Sequence, residues 1–216
     1  MPATPDNRWL RKRAVNLIII AILLVIIWFV KYRDESGPET LANLMAAATE
    51  ETQANADYLV FADVAEREGQ KEISTLFRAI AEAKRQHASD EFALAQNLGA
   101  VEWPVPHSVT PGTTHENLQA ALTSETEEHK KGYSEFIAAA QKENMPDAAR
   151  LFALAKQAEE IYARLFSDVL KNYDQIDSAR YAQIFRCPIC GAIELAVRPA
   201  TCSLCDTNGA GFIEYD

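Results

Sequence analysis

Residues 71–98, KEISTLFRAIAEAKRQHASDEFALAQNL, form the stretch that decides the fold of this chain. Apolar side chains recur in it at the three- and four-residue spacing of a single helix face: Ile73, Leu76, Phe77, Ile80 and Ala81. Lys84 and His87 follow at a spacing that puts both on one face, about one turn apart. The pattern predicts an amphipathic helix with polar groups among its inward positions.

Three further stretches have the same helical character. They run from about residue 39 to 68, from a capping box at 113–116 to about 143, and from Pro146 to about 173. The segment 99–112 contains three prolines and no periodicity, so it predicts a crossover loop. Four long helices with a longer connection between the second and third predict a ferritin-like four-helix bundle.

A weak internal repeat relates the two halves of this bundle. Glu51 and Glu125 are 74 residues apart, and Lys84-x-x-His87 precedes Glu159-x-x-Tyr162 by 75 residues. We interpret the bundle as a duplicated helical hairpin. Chance similarity between two pairs of helices rich in alanine and glutamate is the alternative interpretation.

The repeat brings acids and a histidine to equivalent places on the four helices. A carboxylate-bridged metal pair needs such oxygen and imidazole ligands, projecting inward from every helix. A single acid in a chain with 31 acidic residues is more often a solvated surface group. The candidate bundle ligands are Glu51, His87, Glu125, Glu128 and Glu159.

All four cysteines lie near the end of the chain, in two Cys-x-x-Cys pairs separated by eleven residues: Cys187, Cys190, Cys202 and Cys205. Two such pairs predict a tetrahedral thiolate site rather than a disulfide framework. Zinc in a zinc-ribbon module and a single iron ion both suit four thiolates.

These features together resemble the rubrerythrin family over roughly residues 39–216. The resemblance rests on Glu51-Thr-Gln-Ala, Glu66-Arg-Glu-Gly69, Thr114-x-Glu-Asn-Leu and the Cys-Pro-x-Cys-Gly of the first cysteine pair. It implies a di-iron centre in the bundle that reduces hydrogen peroxide. It also implies a C-terminal rubredoxin-like domain whose iron supplies electrons, so iron is favoured over zinc at the cysteines.

Two positions depart from the pattern that the resemblance implies. Lys84 stands where the family has a bridging glutamate, and Tyr162 where it has a second histidine. An ammonium group cannot bind a cation, so three alternatives remain: two further irons, one, or a metal-free ion-pair cluster. Tyr162 is either a phenolate ligand or a hydrogen-bonded core tyrosine, and Glu91, one turn beyond His87, is the best replacement ligand.

Residues 14–30 form an apolar run of 17 residues in which only Asn16 is polar. Seventeen residues is the short limit for a membrane-spanning helix. No small-residue cleavage site follows, so we interpret the run as an uncleaved anchor rather than a signal peptide. Positive charge is denser before it (Arg11, Lys12, Arg13) than after it, which predicts a cytoplasmic N-terminus and a periplasmic soluble domain.

The sequence therefore predicts an anchor (1–35), a ferritin-like bundle (36–174) and a small rubredoxin-like or zinc-ribbon β module (175–216). The predicted function is electron transfer through a four-cysteine iron site, with peroxide reduction in the bundle left open by Lys84 and Tyr162. A non-enzymatic electron-transfer or accessory subunit of a membrane complex is the alternative.

The net charge of −10 excludes nucleic acid as a binding partner and suits a basic redox partner such as a c-type cytochrome. The family resemblance also implies a homodimer.

Overall fold

The computed structural model describes residues 22–23 and 38–216, with the side chains of residues 127–131 left outside that description. The predicted anchor at 14–30 lies outside the described residues except for Ile22 and Leu23. Within the described part of the chain, no helix is both long enough and apolar enough to cross a membrane. Residues 39–216 form one compact unit.

Four long helical segments build the bundle, close to the predicted positions. The first, second and fourth segments are α1 (Glu39–Arg67), α2 (Lys71–Asn97) and α5 (Pro146–Lys171). The third consists of α3 (Thr114–Thr123), a π-helical turn (Ser124–Glu128) and α4 (His129–Lys142). The predicted capping box opens α3: the Thr113 hydroxyl accepts from the Glu116 backbone N–H, and the Glu116 carboxylate accepts from the Thr113 N–H.

The third helix is not regular, which the sequence pattern did not predict. Its π-helical turn contains two of the predicted ligand positions, Glu125 and Glu128. The Thr126 hydroxyl donates to the Leu122 carbonyl at 2.7 Å, a contact typical of bent or widened helices. Because π-helical turns widen the helix, they change which side chains face inward and are common at functional sites.

A small β module follows the bundle. The predicted linker contains a short 3-10 turn (Tyr173–Gln175) and a one-turn helix α6 (Ser178–Tyr181). Strand β1 (Ile184–Arg186) then pairs in antiparallel fashion with β2 (Ile193–Leu195) on one side and β3 (Ile213–Tyr215) on the other. This three-stranded sheet agrees with the predicted rubredoxin-like or zinc-ribbon module.

The module packs directly on the bundle. Its small core of Phe185, Ala192, Phe212 and buried cysteines meets Leu154 and Ile161 of α5. The contact is closest at Gly191, where φ is +74°. A Cβ atom there would lie 2.7 Å from His87 Nε2 and 2.7 Å from the Tyr162 hydroxyl oxygen. Glycine is therefore required by the backbone conformation and by the packing together.

We expect Gly191→Ala to lower the free energy of unfolding by about 1–3 kcal/mol, because it adds overpacking to backbone strain. Denaturant unfolding of the full chain measures this. Gly69→Ala is the matched control, since φ at Gly69 is +78° but no atom lies within 4 Å of the added Cβ. Equal losses in the two variants would contradict a packing role for Gly191.

Candidate metal centres

The four cysteines converge in the β module. The Sγ atoms of Cys187, Cys190, Cys202 and Cys205 all lie within 4.8 Å of one another, and three of the four residues are buried. The Cys187 and Cys205 sulfurs are 3.6 Å apart, and the Cys190 and Cys202 sulfurs are 3.4 Å apart. A tetrahedron with metal–sulfur bonds of about 2.3 Å has edges of about 3.8 Å. The four sulfurs therefore fit a tetrahedral metal ion.

The two cysteine turns have matching backbone geometry. The Gly191 N–H donates to the Cys187 carbonyl, and the Asp206 N–H donates to the Cys202 carbonyl, both at 3.1 Å. Asp206 stands where the first turn has glycine and adopts a left-handed conformation with φ of 59°. Aspartate tolerates that conformation better than most side chains, so the second turn keeps its shape without glycine.

The surroundings of the first cysteine pair favour a thiolate at Cys187. A hydrogen bond from the Cys190 thiol lowers the pKa of Cys187 to about 4. The same hydrogen bond, together with burial, raises the pKa of Cys190. A negative charge at the first cysteine pair is the state that a metal cation needs, because the thiolate is the ligand.

In the bundle, the centre of the predicted ligand set is filled by Lys84. Its side chain is fully buried, and its Nζ donates to Glu159 Oε1 at 2.9 Å. The same Nζ lies 3.1 Å from Glu51 Oε2 and 3.2 Å from Glu125 Oε2. One ammonium group thus contacts three of the predicted ligands, each from a different helical segment.

Tyrosine and histidine side chains surround the same carboxylates. The Tyr58 hydroxyl donates to Glu125 Oε1 at 2.6 Å, and the Tyr133 hydroxyl donates to Glu51 Oε1 at 3.1 Å. His87 Nδ1 lies 3.1 Å from that same Glu51 oxygen. Glu125 and Glu51 therefore each accept from a tyrosine at the oxygen that Lys84 does not contact.

The predicted replacement Glu91 belongs to this cluster. It is fully buried, and its Oε1 lies 2.9 Å from the Tyr133 hydroxyl oxygen. Spacing on α2 identified Glu91, but neither Tyr58 nor Tyr133 was predicted to contact the site, since a buried tyrosine is usually a core residue. The side chain of Glu128, the remaining predicted ligand, lies outside the described residues.

Burial and charge together set the protonation of the cluster. Burial alone would lower the pKa of Lys84, but the charges of Glu125, Glu159 and Glu51 raise it well above its ordinary value. Burial raises the pKa of Glu159 and of Glu125, although Lys84 opposes the shift in both. The cluster therefore combines a charged lysine with carboxyl groups that gain protons more readily than in water.

Two hydrogen bonds join this cluster to the cysteine module. His87 Nε2 lies 3.1 Å from the Cys190 carbonyl oxygen, and the Tyr162 hydroxyl donates to the Gly191 carbonyl at 2.8 Å. Because a carbonyl only accepts, His87 Nε2 carries a proton in this contact. Tyr162 also lies beneath the Lys84 ammonium, with its ring centroid 5.6 Å from Nζ. Of the two alternatives for Tyr162, the geometry is that of a hydrogen-bonded core tyrosine.

Glu91 makes the stability of the folded chain decrease as pH rises. Burial, then the charge of Glu51, raises the pKa of Glu91 well above its ordinary value. The folded state therefore keeps this proton when the unfolded chain, with a glutamate pKa of about 4.3, has lost it. Its stabilising contribution is complete below that pH and is lost as pH rises through the folded-state pKa.

We expect the free energy of unfolding to fall less in Glu91→Gln than in the parent chain as the pH is raised from about 5 to about 9. The difference in slope is at most about 1.4 kcal/mol per pH unit, the value for one proton. Denaturant unfolding at several pH values measures it. Glu102→Gln, at an exposed position, is the control. Parallel pH profiles of stability for Glu91→Gln and the parent chain would contradict a raised pKa of Glu91 in the folded state.

Comparison with known proteins identifies the family. The sequence profile of the rubrerythrin family matches residues 42–170, which is more than half of the chain. The chain belongs to the rubrerythrin family.

Relatives extend the rubrerythrin match beyond the bundle. Nigerythrin from Nitratidesulfovibrio vulgaris is 34% identical over 177 residues, covering 82% of this chain and 86% of that protein. Rubrerythrin from the same organism is 30% identical over 181 residues, with coverage of 82% and 94%. Rubrerythrin-2 from Clostridium acetobutylicum is 30% identical over 165 residues, with coverage of 75% and 89%.

Solved structures agree with this rubrerythrin assignment. Nigerythrin in its fully reduced, all-ferrous state superimposes with a TM-score of 0.77 at 31% identity, covering 84% of this chain and 89% of that one. Bacterioferritin from Mycobacterium tuberculosis, at 19% identity and a TM-score of 0.59, shares the fold. The predicted ferritin-like bundle with a C-terminal four-cysteine module is thereby confirmed.

Proposed function

We propose that this rubrerythrin-family chain is a one-electron carrier whose redox centre is an iron ion held by Cys187, Cys190, Cys202 and Cys205. The observation that carries the proposal is the convergence of all four sulfurs within 4.8 Å. An iron bound by four thiolates supplies one-electron transfer. The all-ferrous state named for the nigerythrin structure supports iron over zinc.

The chain's own residues shape this centre in three ways. The module core buries most of the sulfur ligands, which limits their access to water. The Thr207 hydroxyl oxygen lies 3.0 Å from the Cys205 sulfur, where it donates to a thiolate. His87 and Tyr162 hold the carbonyls of Cys190 and Gly191, which fixes the first cysteine turn against the bundle.

The bundle in this proposal is an altered di-iron site that serves as a scaffold. The family resemblance implies that Lys84 stands at the position of the bridging glutamate and Tyr162 at that of the second histidine. Peroxide reduction in the bundle stays a prediction, and the contacts of Lys84 favour the alternative of a non-enzymatic electron-transfer or accessory subunit. We therefore assign no chemical step to the bundle.

We further propose a single-pass membrane anchor at residues 14–30, with the N-terminus in the cytoplasm and residues 39–216 in the periplasm. The apolar run and the flanking basic residues support this orientation. The acidic soluble part suits a basic redox partner, such as a c-type cytochrome or a subunit of a membrane complex. Homodimer formation is a further proposal that rests on the family resemblance.

Purified full-length chain tests the carrier function. We expect bound iron, a thiolate-to-iron absorption band that bleaches on reduction, and full recovery on reoxidation. The peroxide reaction is tested separately, by adding hydrogen peroxide to the reduced protein. The rate at which peroxide disappears is compared with its rate in buffer that contains no protein. A colourless protein with zinc in the cysteine site would overturn the proposed electron transfer.

We expect Thr207→Val to keep iron but to lower the reduction potential by about 40 mV. Reduction makes the centre more negative, so a hydroxyl donor to sulfur favours the reduced state by ~1 kcal/mol. Protein-film voltammetry measures the shift. Thr201→Val, on the exposed side of the same module, is the control. An unchanged reduction potential in Thr207→Val would show that the Thr207 hydroxyl does not stabilise the reduced centre.

A further inference from the structure

The bundle cluster has the geometry of an ammonium site rather than of a metal site. Lys84 Nζ stands 2.9, 3.1 and 3.2 Å from oxygens of Glu159, Glu51 and Glu125, the distances of charge-assisted N–H···O contacts. Metal–oxygen bonds to carboxylates are about 2.0–2.2 Å long. The three carboxylates are therefore held roughly 1 Å too far from the central position for a divalent ion bound there.

The described ligand atoms of the bundle, which do not include those of Glu128, also lack a common metal position. Within the described part of the chain, the cysteines are the one group of histidine, cysteine or acidic residues whose ligand atoms gather closely enough to hold a metal ion. In the bundle, Nζ of Lys84 lies within 3.2 Å of Glu51 Oε2, Glu125 Oε2 and Glu159 Oε1. The other oxygens of Glu125 and Glu51 accept from the Tyr58 and Tyr133 hydroxyls. Cationic or hydroxyl groups thus contact both oxygens of two of the three carboxylates that would face a metal.

The balance of buried charge also favours an ammonium site over a metal site in the bundle. Among the described residues, three buried carboxyl groups, those of Glu51, Glu125 and Glu159, contact one fully buried ammonium, and a fourth, that of Glu91, lies next to Tyr133 in the same cluster. Buried carboxylates need a cation or a proton close by. The lysine supplies a cation that cannot dissociate, because it is covalently tethered to α2. A protein with such a group has no need to acquire a metal for the same purpose.

We infer that the Lys84 ammonium is a built-in replacement for the family's bundle metal, and that it both stabilises the carboxylates and excludes divalent cations from the four-helix site. This inference goes beyond the proposed electron-carrier function. It does not depend on which metal the cysteines hold, because it concerns a separate set of ligands. Its direct consequence is that removing the ammonium creates a metal site.

Manganese(II) is a suitable probe, since it prefers carboxylate and imidazole ligands to thiolates and so reports on the bundle. The experiment uses the full chain with the cysteine site filled by zinc, and it measures Tm with and without excess Mn²⁺. We expect a Tm change below about 1 °C for the parent chain and a rise of about 5–10 °C for Lys84→Glu. Electron paramagnetic resonance counts the bound Mn²⁺ independently of stability.

Two additional variants keep the test decisive. Lys84→Gln removes the ammonium without adding a fifth carboxylate, so it serves if Lys84→Glu does not fold. Lys71→Glu makes the same charge change at an exposed position and is expected to bind no Mn²⁺. Saturable Mn²⁺ binding by the parent chain would overturn the inference, and so would a failure of both Lys84 variants to bind Mn²⁺. Neither result bears on the thiolate-to-iron absorption that tests the carrier function.

Discussion

Replacing Lys84 by methionine is expected to lower the free energy of unfolding by about 3–5 kcal/mol, the usual cost of removing one partner from a buried ion cluster. Methionine fills nearly the same space as the lysine stem, so little of the loss comes from a cavity. What remains is Glu51, Glu125 and Glu159 without the cation that all three contact. Denaturant unfolding at neutral pH measures the change.

The control for this variant is Lys71→Met, at an exposed position near the start of α2, which we expect to change stability by less than about 0.5 kcal/mol. The double variant Lys84→Met/Glu159→Gln is expected to recover part of the loss, because it removes one of the uncompensated carboxylates. A Lys84→Met protein as stable as its parent would show that the carboxyl groups hold protons instead of relying on the ammonium.

The second large effect is expected from Cys190→Ser. The Cys190 sulfur is buried and lies 3.4 Å from that of Cys202, so the variant removes one of four converging ligands. We expect metal affinity to fall by more than the ~10–100-fold that changes outside the ligand shell cost. Because metal binding stabilises such small modules, protease resistance of residues 184–216 should fall as well.

Competition with a chelator measures the affinity of Cys190→Ser, and limited proteolysis measures the order of the module. Ser203→Ala is the matched control, since Ser203 is exposed in the second cysteine turn. Its affinity should equal that of the parent chain. Unchanged metal retention in Cys190→Ser would mean that the four sulfurs do not act as one site.

The fold could be predicted because its signals are local. Apolar spacing defined the four helices to within a few residues, and the capping box at Thr113–Glu116 forms both of its expected hydrogen bonds. The spacing of the two Cys-x-x-Cys pairs was sufficient to predict that four sulfurs converge. These features depend on residues close together in the chain or on a ligand set with few other uses.

The bundle cluster could be predicted only in part, because its state depends on distances between helices. Spacing placed Lys84 and Glu91 on the right face of α2, but it could not show that Nζ reaches Glu159 on α5. Tyr133 joins Glu51 to Glu91 although no periodic pattern distinguishes it from an ordinary core tyrosine. The π-helical turn at Ser124–Glu128 likewise has no signature in the sequence.

A buried ammonium among the bundle carboxylates has a consequence for how rubrerythrin-family chains are interpreted. Here the ferritin-like fold and the four-cysteine cluster occur together with a buried Lys84 that contacts three carboxylates. Family membership therefore implies the scaffold, whereas bundle chemistry has to be argued from the side chains at each position.

We propose that the cysteine module holds iron and that the bundle holds none. Metal analysis of full-length protein, expressed with ample iron and purified without chelators or oxygen, tests it most directly. We expect about one iron per chain, lost in Cys190→Ser, together with a thiolate–iron absorption spectrum. Two or three irons per chain, with at least one remaining in Cys190→Ser, would contradict it.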